Sequence, residues 1–202
     1  MKKIFLPILL ASSVISTSAS AYERFPLMIP NEAFTFNFNV RMFEMSRMKQ
    51  EKILAALELI RYVLSTDEFR QGVLKHSYNG RRKFAYNKGL TNTQIYKKIL
   101  MGAEYLHPYN NNTMDLEVEL YTNKKSKTVG YTKTRSFRIW MNTKYFNERS
   151  SAEIAGTIVH EWLHKLGFAH EVEASPFRKY SVPYAIGKLI RNLAEEAGGT
   201  AE

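Results

Sequence analysis

One stretch constrains this chain more than any other: His160-Glu161-Trp162-Leu163-His164-Lys165-Leu166-Gly167-Phe168-Ala169-His170, the pattern H-E-x-x-H-x-x-G-x-x-H. It asks for a helix, a sharp stop and a return. The step from His160 to His164 is close to one helical turn, so both imidazoles point the same way and can share one metal ion. Glu161 lies one step round the helix. It is badly placed to be a ligand, but its carboxylate can reach a water at an open coordination position, where a general base belongs. Gly167 permits the positive φ that commonly ends a helix, which lets the chain swing away and bring His170 back to the same point. Three neutral imidazoles leave one tetrahedral corner open. A closed structural site needs a fourth protein ligand, commonly cysteine, and the chain has no cysteine. The residues therefore predict one catalytic zinc ion (Zn2+) held by His160, His164 and His170, with Glu161 as the catalytic base.

This eleven-residue pattern resembles the zinc signature of the metzincin metallopeptidases. The resemblance implies an α+β fold, with a twisted, mostly antiparallel or mixed sheet packed on helices, one of which carries the active site. It also implies a zinc-dependent endopeptidase that acts on a protein or peptide substrate laid along a sheet edge. Here that edge would be Lys127-Thr128-Val129-Gly130-Tyr131-Thr132, the strand before the last one ahead of the active helix; an ordinary hairpin strand with a bulge at Gly130 is the alternative. Metzincins further carry a methionine in a turn beneath the metal. In this chain the last methionine is Met141, upstream of the motif. The segment Tyr180-Ser181-Val182-Pro183-Tyr184 resembles such a turn without the methionine, with Val182 or Pro183 as its apolar floor. Some metzincins use a tyrosine near this turn to stabilise the transition state, a catalytic role that falls here on Tyr184 ahead of Tyr180. Two other readings compete: a zinc-dependent amidase acting on cell-wall material, and a non-catalytic zinc-stabilised peptide-binding module. The presence of Glu161 speaks against the second.

The N-terminus has the form of an export signal: Lys2 and Lys3, an apolar run from Ile4 to Ile15, then Ala19-Ser20-Ala21 as the cleavage site. Residues 1–21 are expected to be removed, leaving 22–202 as a single catalytic domain, secreted or periplasmic. The apolar run is too short for a permanent anchor, and no later stretch approaches the roughly 20 apolar residues of a membrane span, so stable membrane insertion is not expected. The chain is basic, with a formal net charge of +10. Its clusters Arg81-Arg82-Lys83 and Lys124-Lys125-Ser126-Lys127 accompany no nucleic-acid-binding motif, so they read as solvated loops and nucleic acid is not an expected partner. The charge does bias an exported protein towards anionic envelope or acidic substrates.

Periodicity orders the elements. Phe34, Phe36, Phe38, Val40 and Met42 alternate as a strand, and Ile53, Leu57, Ile60 and Leu64 place a helix over about Arg47 to Leu64. Ser65 with Glu68 resembles a capping box for a short second helix. A third helix runs from Thr91 to Leu106, stopped by Pro108. Leu116, Val118 and Leu120 alternate as a strand, and two more strands are expected at Lys127 to Thr134 and Ser136 to Asn142. Ser150 and Glu153 form a capping box that opens the motif helix, and Ala155, Ile158, Val159, Trp162 and Leu166 should pack it on the sheet. His76 and His107 lack ligand spacing and read as ordinary surface or partly packed residues. Glu171 and Glu173 are mainly solvent-exposed candidates, with orientation of a ligand imidazole as their functional alternative.

Overall fold

The computed structural model describes residues 36–133 and 135–199. The expected signal at 1–21, the segment from Tyr22 to Ala33 and Phe34 of the first strand lie outside the described residues. Alternation of apolar and polar side chains gives the first strand, β1 (Asn37–Phe43). Three helices follow, α1 (Arg47–Leu64), α2 (Asp67–Lys75) and α3 (Asn92–Met101), and then β2 (Thr113–Tyr121). Next come β3 (Gly130–Thr132), β4 (Arg138–Asn142), a single turn α4 (Thr143–Phe146), the motif helix α5 (Ser151–Lys165) and α6 (Val182–Gly199). The sheet order is β1-β2-β4-β3. β1 and β2 pair in parallel, as do β2 and β4, whereas β3 runs antiparallel to β4. The domain is α+β with an open mixed sheet.

Register explains which face is buried. Val40 pairs with Leu116, Val118 with Ile139 and Leu120 with Met141, so these apolar side chains share one face. They join a continuous core with Ile53, Ile60 and Val63 of α1 and with Ala155, Ile158, Val159 and Trp162 of α5. Leu166, at the end of α5, is buried there too. The opposite face is polar and aromatic. On it Arg138 bridges Glu117 and Glu119 and stacks on Phe43 with its guanidinium 4.0 Å from the ring centre. Among the described residues no helix is long and apolar enough to cross a membrane.

Several element boundaries differ from the sequence expectations, each for a local reason. Ser65 is spent on closing α1, its hydroxyl donating to the Tyr62 carbonyl, so Thr66 caps α2 by accepting from the Phe69 N–H. Helix α3 starts at its Thr91–Gln94 capping box but ends at Met101, five residues short of the expected Leu106, because Gly102 turns left-handed (φ 66°). Strand β3 covers only Gly130–Thr132 of the expected run. Its pairing with β4 spans three positions, bounded at one end where β4 passes into α4 after Asn142 and at the other by a turn in which the Ser136 N–H donates to the Lys133 carbonyl. The segment expected as a turn around Tyr180–Tyr184 is a short 3-10 turn (Arg178–Tyr180) followed by the start of α6. Val182 and Pro183 are buried in the first turn of that helix, where proline forfeits no helical hydrogen bond.

Candidate metal centre

Helix α5 is fixed at both ends. Ser150 and Glu153 form the expected reciprocal cap, with hydrogen bonds of 3.2 and 3.1 Å. At the other end Gly167 (φ 89°) donates to the His164 carbonyl and Phe168 to the Leu163 carbonyl, both at 3.0 Å. That is the paired arrangement by which a left-handed glycine terminates a helix. The chain then doubles back and His170 joins His160 and His164, with candidate ligand atoms of all three within 4.8 Å of one another. His160, His164 and His170 form a cluster that can hold a metal ion.

Each imidazole is oriented by a carbonyl. His164 Nδ1 lies 2.9 Å from the Phe168 oxygen, and His170 Nδ1 2.8 Å from the Glu171 oxygen. His160 hydrogen-bonds the backbone of Pro183, which has no N–H and can only accept. A carbonyl accepts only, so Nδ1 of His164 and of His170 carries the proton, and each Nε2 presents a lone pair. The Nε2 atoms of His160 and His170 stand 3.2 Å apart. Ligands bound tetrahedrally at 2.0–2.1 Å from a metal lie about 3.3 Å apart, so this spacing fits two imidazoles on one ion. Burial, reinforced by the neighbouring imidazoles, holds His160 down to about 3. Burial likewise lowers His164 and His170. All three are neutral at pH 7, as ligands must be.

Glu161 is 6 % exposed, and burial pushes its carboxyl up to about 7 against the opposing pull of Lys165. Its Oε1 lies 3.5 Å from where a Cβ on Gly130 would sit, so the carboxylate faces the edge strand β3. Tyr184 stands in the first turn of α6, its ring centre 4.6 Å from that of His160 and 4.7 Å from that of His170. Burial raises its hydroxyl's pKa, so Tyr184 stays protonated and able to donate. Tyr180 is not brought to the cluster; it packs beside Tyr78 and His76, and its carbonyl accepts from Ala85. A cleft of about 1360 Å³ opens between β3, α5 and α6, lined by the three histidines, Glu161 and Tyr184.

The remaining expected residues fall as follows. His76 stacks on Phe84 with ring centres 4.0 Å apart, and His107 hydrogen-bonds Asp115 at 2.9 Å, both away from the triad. Glu173 is exposed. Glu171 orients His170 through its backbone carbonyl, while its side chain accepts from the Tyr86 hydroxyl.

The reading of the sequence missed what lets α6 approach α5. A Cβ on Gly156 would come within 2.7 Å of the Gly187 oxygen, and one on Gly187 within 2.9 Å of the Gly156 oxygen. Two facing glycines thus allow the crossing that sets Tyr184 against His160. Isolated glycines inside two helical runs were the available signal. It also missed the polar network behind α5. Buried Glu104 accepts from the Asp115 N–H and the Trp162 indole, and buried Lys165 donates to the Ser136 carbonyl.

Fold and cluster together define an α+β domain with a three-histidine cluster able to hold a metal ion at the foot of an open cleft. The chain matches no protein-family model and no curated protein.

Proposed function

We propose that this chain is a zinc-dependent endopeptidase of metzincin type, exported from the cell, which hydrolyses peptide bonds with Glu161 as general base. One observation carries the reading: three neutral imidazoles converge while a buried carboxylate from the helix that carries two of them faces the adjoining edge strand. A non-catalytic metal site has no use for that carboxylate, which burial keeps close to neutral pH at the cost of its charged form.

His160, His164 and His170 would hold the zinc ion, which fits a set of three nitrogen donors and no thiolate. Bound there, zinc supplies Lewis acidity, polarising the scissile carbonyl and acidifying water. The chain's own residues do the rest. The free edge of β3 pairs with an extended substrate and presents its backbone across the cleft. Glu161 takes the proton from the attacking water and passes it to the departing amine, a role suited to a carboxyl whose pKa lies near the working pH. Tyr184 donates its hydroxyl hydrogen to the oxygen that gains charge in the transition state.

The test is Glu161→Gln in the mature protein, assayed for metal by elemental analysis and for cleavage of an unfolded protein. Metal content should stay at one zinc per chain while turnover falls roughly 100- to 10,000-fold. Turnover equal to that of the unaltered protein removes Glu161 as the base; absence of stoichiometric metal even after reconstitution removes the metal centre itself.

A further inference from the structure

The cleft is far more basic than the protein that carries it. The whole chain has 29 Lys and Arg against 19 Asp and Glu. Seven cationic side chains and only two carboxylates, Glu153 and Glu161, line the cleft. Glu153 is committed to the cap of α5 and Glu161 to the floor of the site, so neither neutralises the wall.

The cations flank the triad on both sides. Towards the start of α5 stand Lys127, just ahead of the edge strand, and Arg149, held by a 3.0 Å hydrogen bond to Thr157. Towards its end, Lys88 Nζ lies 3.6 Å from the place a Cβ on Gly167 would occupy, and the Arg178 guanidinium covers the Tyr184 ring at 4.6 Å. Lys188 follows Gly187 on the wall formed by α6. Of the cations lining the cleft only Arg191 has a carboxylate within 4.0 Å among the described residues, Glu195 at 3.5 Å. The Arg178 Nε is itself buried and finds no hydrogen-bond acceptor among the described residues. A guanidinium that lines the cleft on an aromatic face beside the three histidines, without a carboxylate partner of its own among the described residues, can offer its terminal N–H groups to a carboxylate.

The spacing suits an extended chain. From Gly156 to Leu166 the helix advances about 15 Å, which an extended peptide covers in about four to five residues. Low-dielectric walls lined by one sign of charge concentrate ligands of the other sign. Resting on the reading of this site as a peptidase, we propose that its substrate is an acidic polypeptide, with Asp or Glu side chains on both sides of the cut bond meeting the cationic wall. A lysine-rich segment is disfavoured by the same field.

Internally quenched peptides of equal length, flanked by Glu, Ala or Lys around one central sequence, test this with the zinc-loaded mature protein. kcat/KM should fall in that order, and the Glu peptide's advantage should shrink between about 50 and about 500 mM NaCl as the charges are screened. Lys127→Glu and Lys188→Glu, which lie outside the machinery of bond cleavage, should each lower the Glu peptide's kcat/KM by roughly 2- to 5-fold at low salt and raise that of the Lys peptide. In parallel, fluorescence anisotropy of labelled Glu and Lys peptides on the Glu161→Gln variant reads binding without turnover. Equal cleavage of all three peptides and equal binding of the Glu and Lys peptides at every salt concentration overturns the acidic preference while leaving the peptidase. Selective binding of the Glu peptide with cleavage of none upholds the preference of the cationic wall for acidic chains and removes the peptidase. Tight binding of inorganic polyphosphate without discrimination among peptides reassigns the wall to a non-peptide polyanion and overturns the proposal.

Discussion

The contact between Gly156 and Gly187 gives the sharpest prediction, because opposing effects of known size meet there. Gly156→Ala improves the intrinsic helix preference of α5 by about 1 kcal/mol. Its new methyl must then stand 2.7 Å from the Gly187 oxygen and 3.0 Å from Arg191 Cβ. The first neighbour is helix backbone and cannot rotate aside. Restoring an ordinary separation of about 3.4 Å means moving α6 by about 0.7 Å, and forced overpacking of this kind costs about 1–3 kcal/mol. Because the obstacle is backbone, the cost belongs at the upper end, leaving a net loss of about 2 kcal/mol. For a domain of this size that lowers Tm by about 4–8 °C. Differential scanning calorimetry of the metal-free protein measures it. Gly198→Ala, in the same α6 but with nothing within 4 Å of its Cβ, serves as control and should leave Tm unchanged or slightly raised. Because α6 also carries Pro183 and Tyr184, Gly156→Ala should lower turnover more than it lowers metal content. A Tm at or above that of the unaltered protein would show that the helix crossing has slack and that the two glycines do not set the position of Tyr184.

Three further outcomes are expected. Tyr184→Phe should retain metal and lower kcat by roughly 100-fold with little change in KM, as removal of a transition-state donor does; a pure KM effect assigns the ring to packing. Since the pKa values of the ligand histidines are lowered, His160 to about 3, protons compete with the metal only at pH values below the ordinary imidazole value of about 6.5. Zinc should therefore remain bound as pH falls through 6.5, and release centred at or above that pH, followed by atomic absorption, would contradict the burial of the cluster. Burial raises the Glu104 carboxyl from 4.5 to about 7, so its charged form is penalised in the folded state. That penalty is absent below pH 4.5 and grows as pH rises to 7. Glu104→Gln keeps the acceptor used by Asp115 and Trp162, and should stabilise the fold by up to about 3 kcal/mol above pH 7 but not at pH 4, measured by urea unfolding.

The sequence made the histidine cluster legible because its signals are local: a one-turn step, a cap at Ser150 and a helix-ending glycine act over a few residues. Helix α1 was legible for the same reason, its apolar spacing coinciding with the observed Arg47–Leu64. What escaped depends on partners distant in the chain. Parallel pairing of β1 with β2 joins Val40 to Leu116, and alternation within either strand says nothing about direction. Helix α6 escaped because Tyr180–Pro183 carries turn chemistry and Gly187 interrupts the run, although Val182, Ile186 and Ile190 recur at helical spacing on its buried side. Glu104 and Lys165 resembled ordinary surface charges; only the folded chain brings the Trp162 indole and the Ser136 carbonyl to them.

The carbonyls that aim the three imidazoles come from Phe168, Glu171 and Pro183, all later in the chain than the motif helix. A nascent polypeptide that has emerged only as far as His170 possesses all three imidazoles yet lacks the Glu171 and Pro183 carbonyls, so the cluster is fully braced only once the C-terminal helix has docked. The geometry of the triad thus depends on a part of the chain that is made after it.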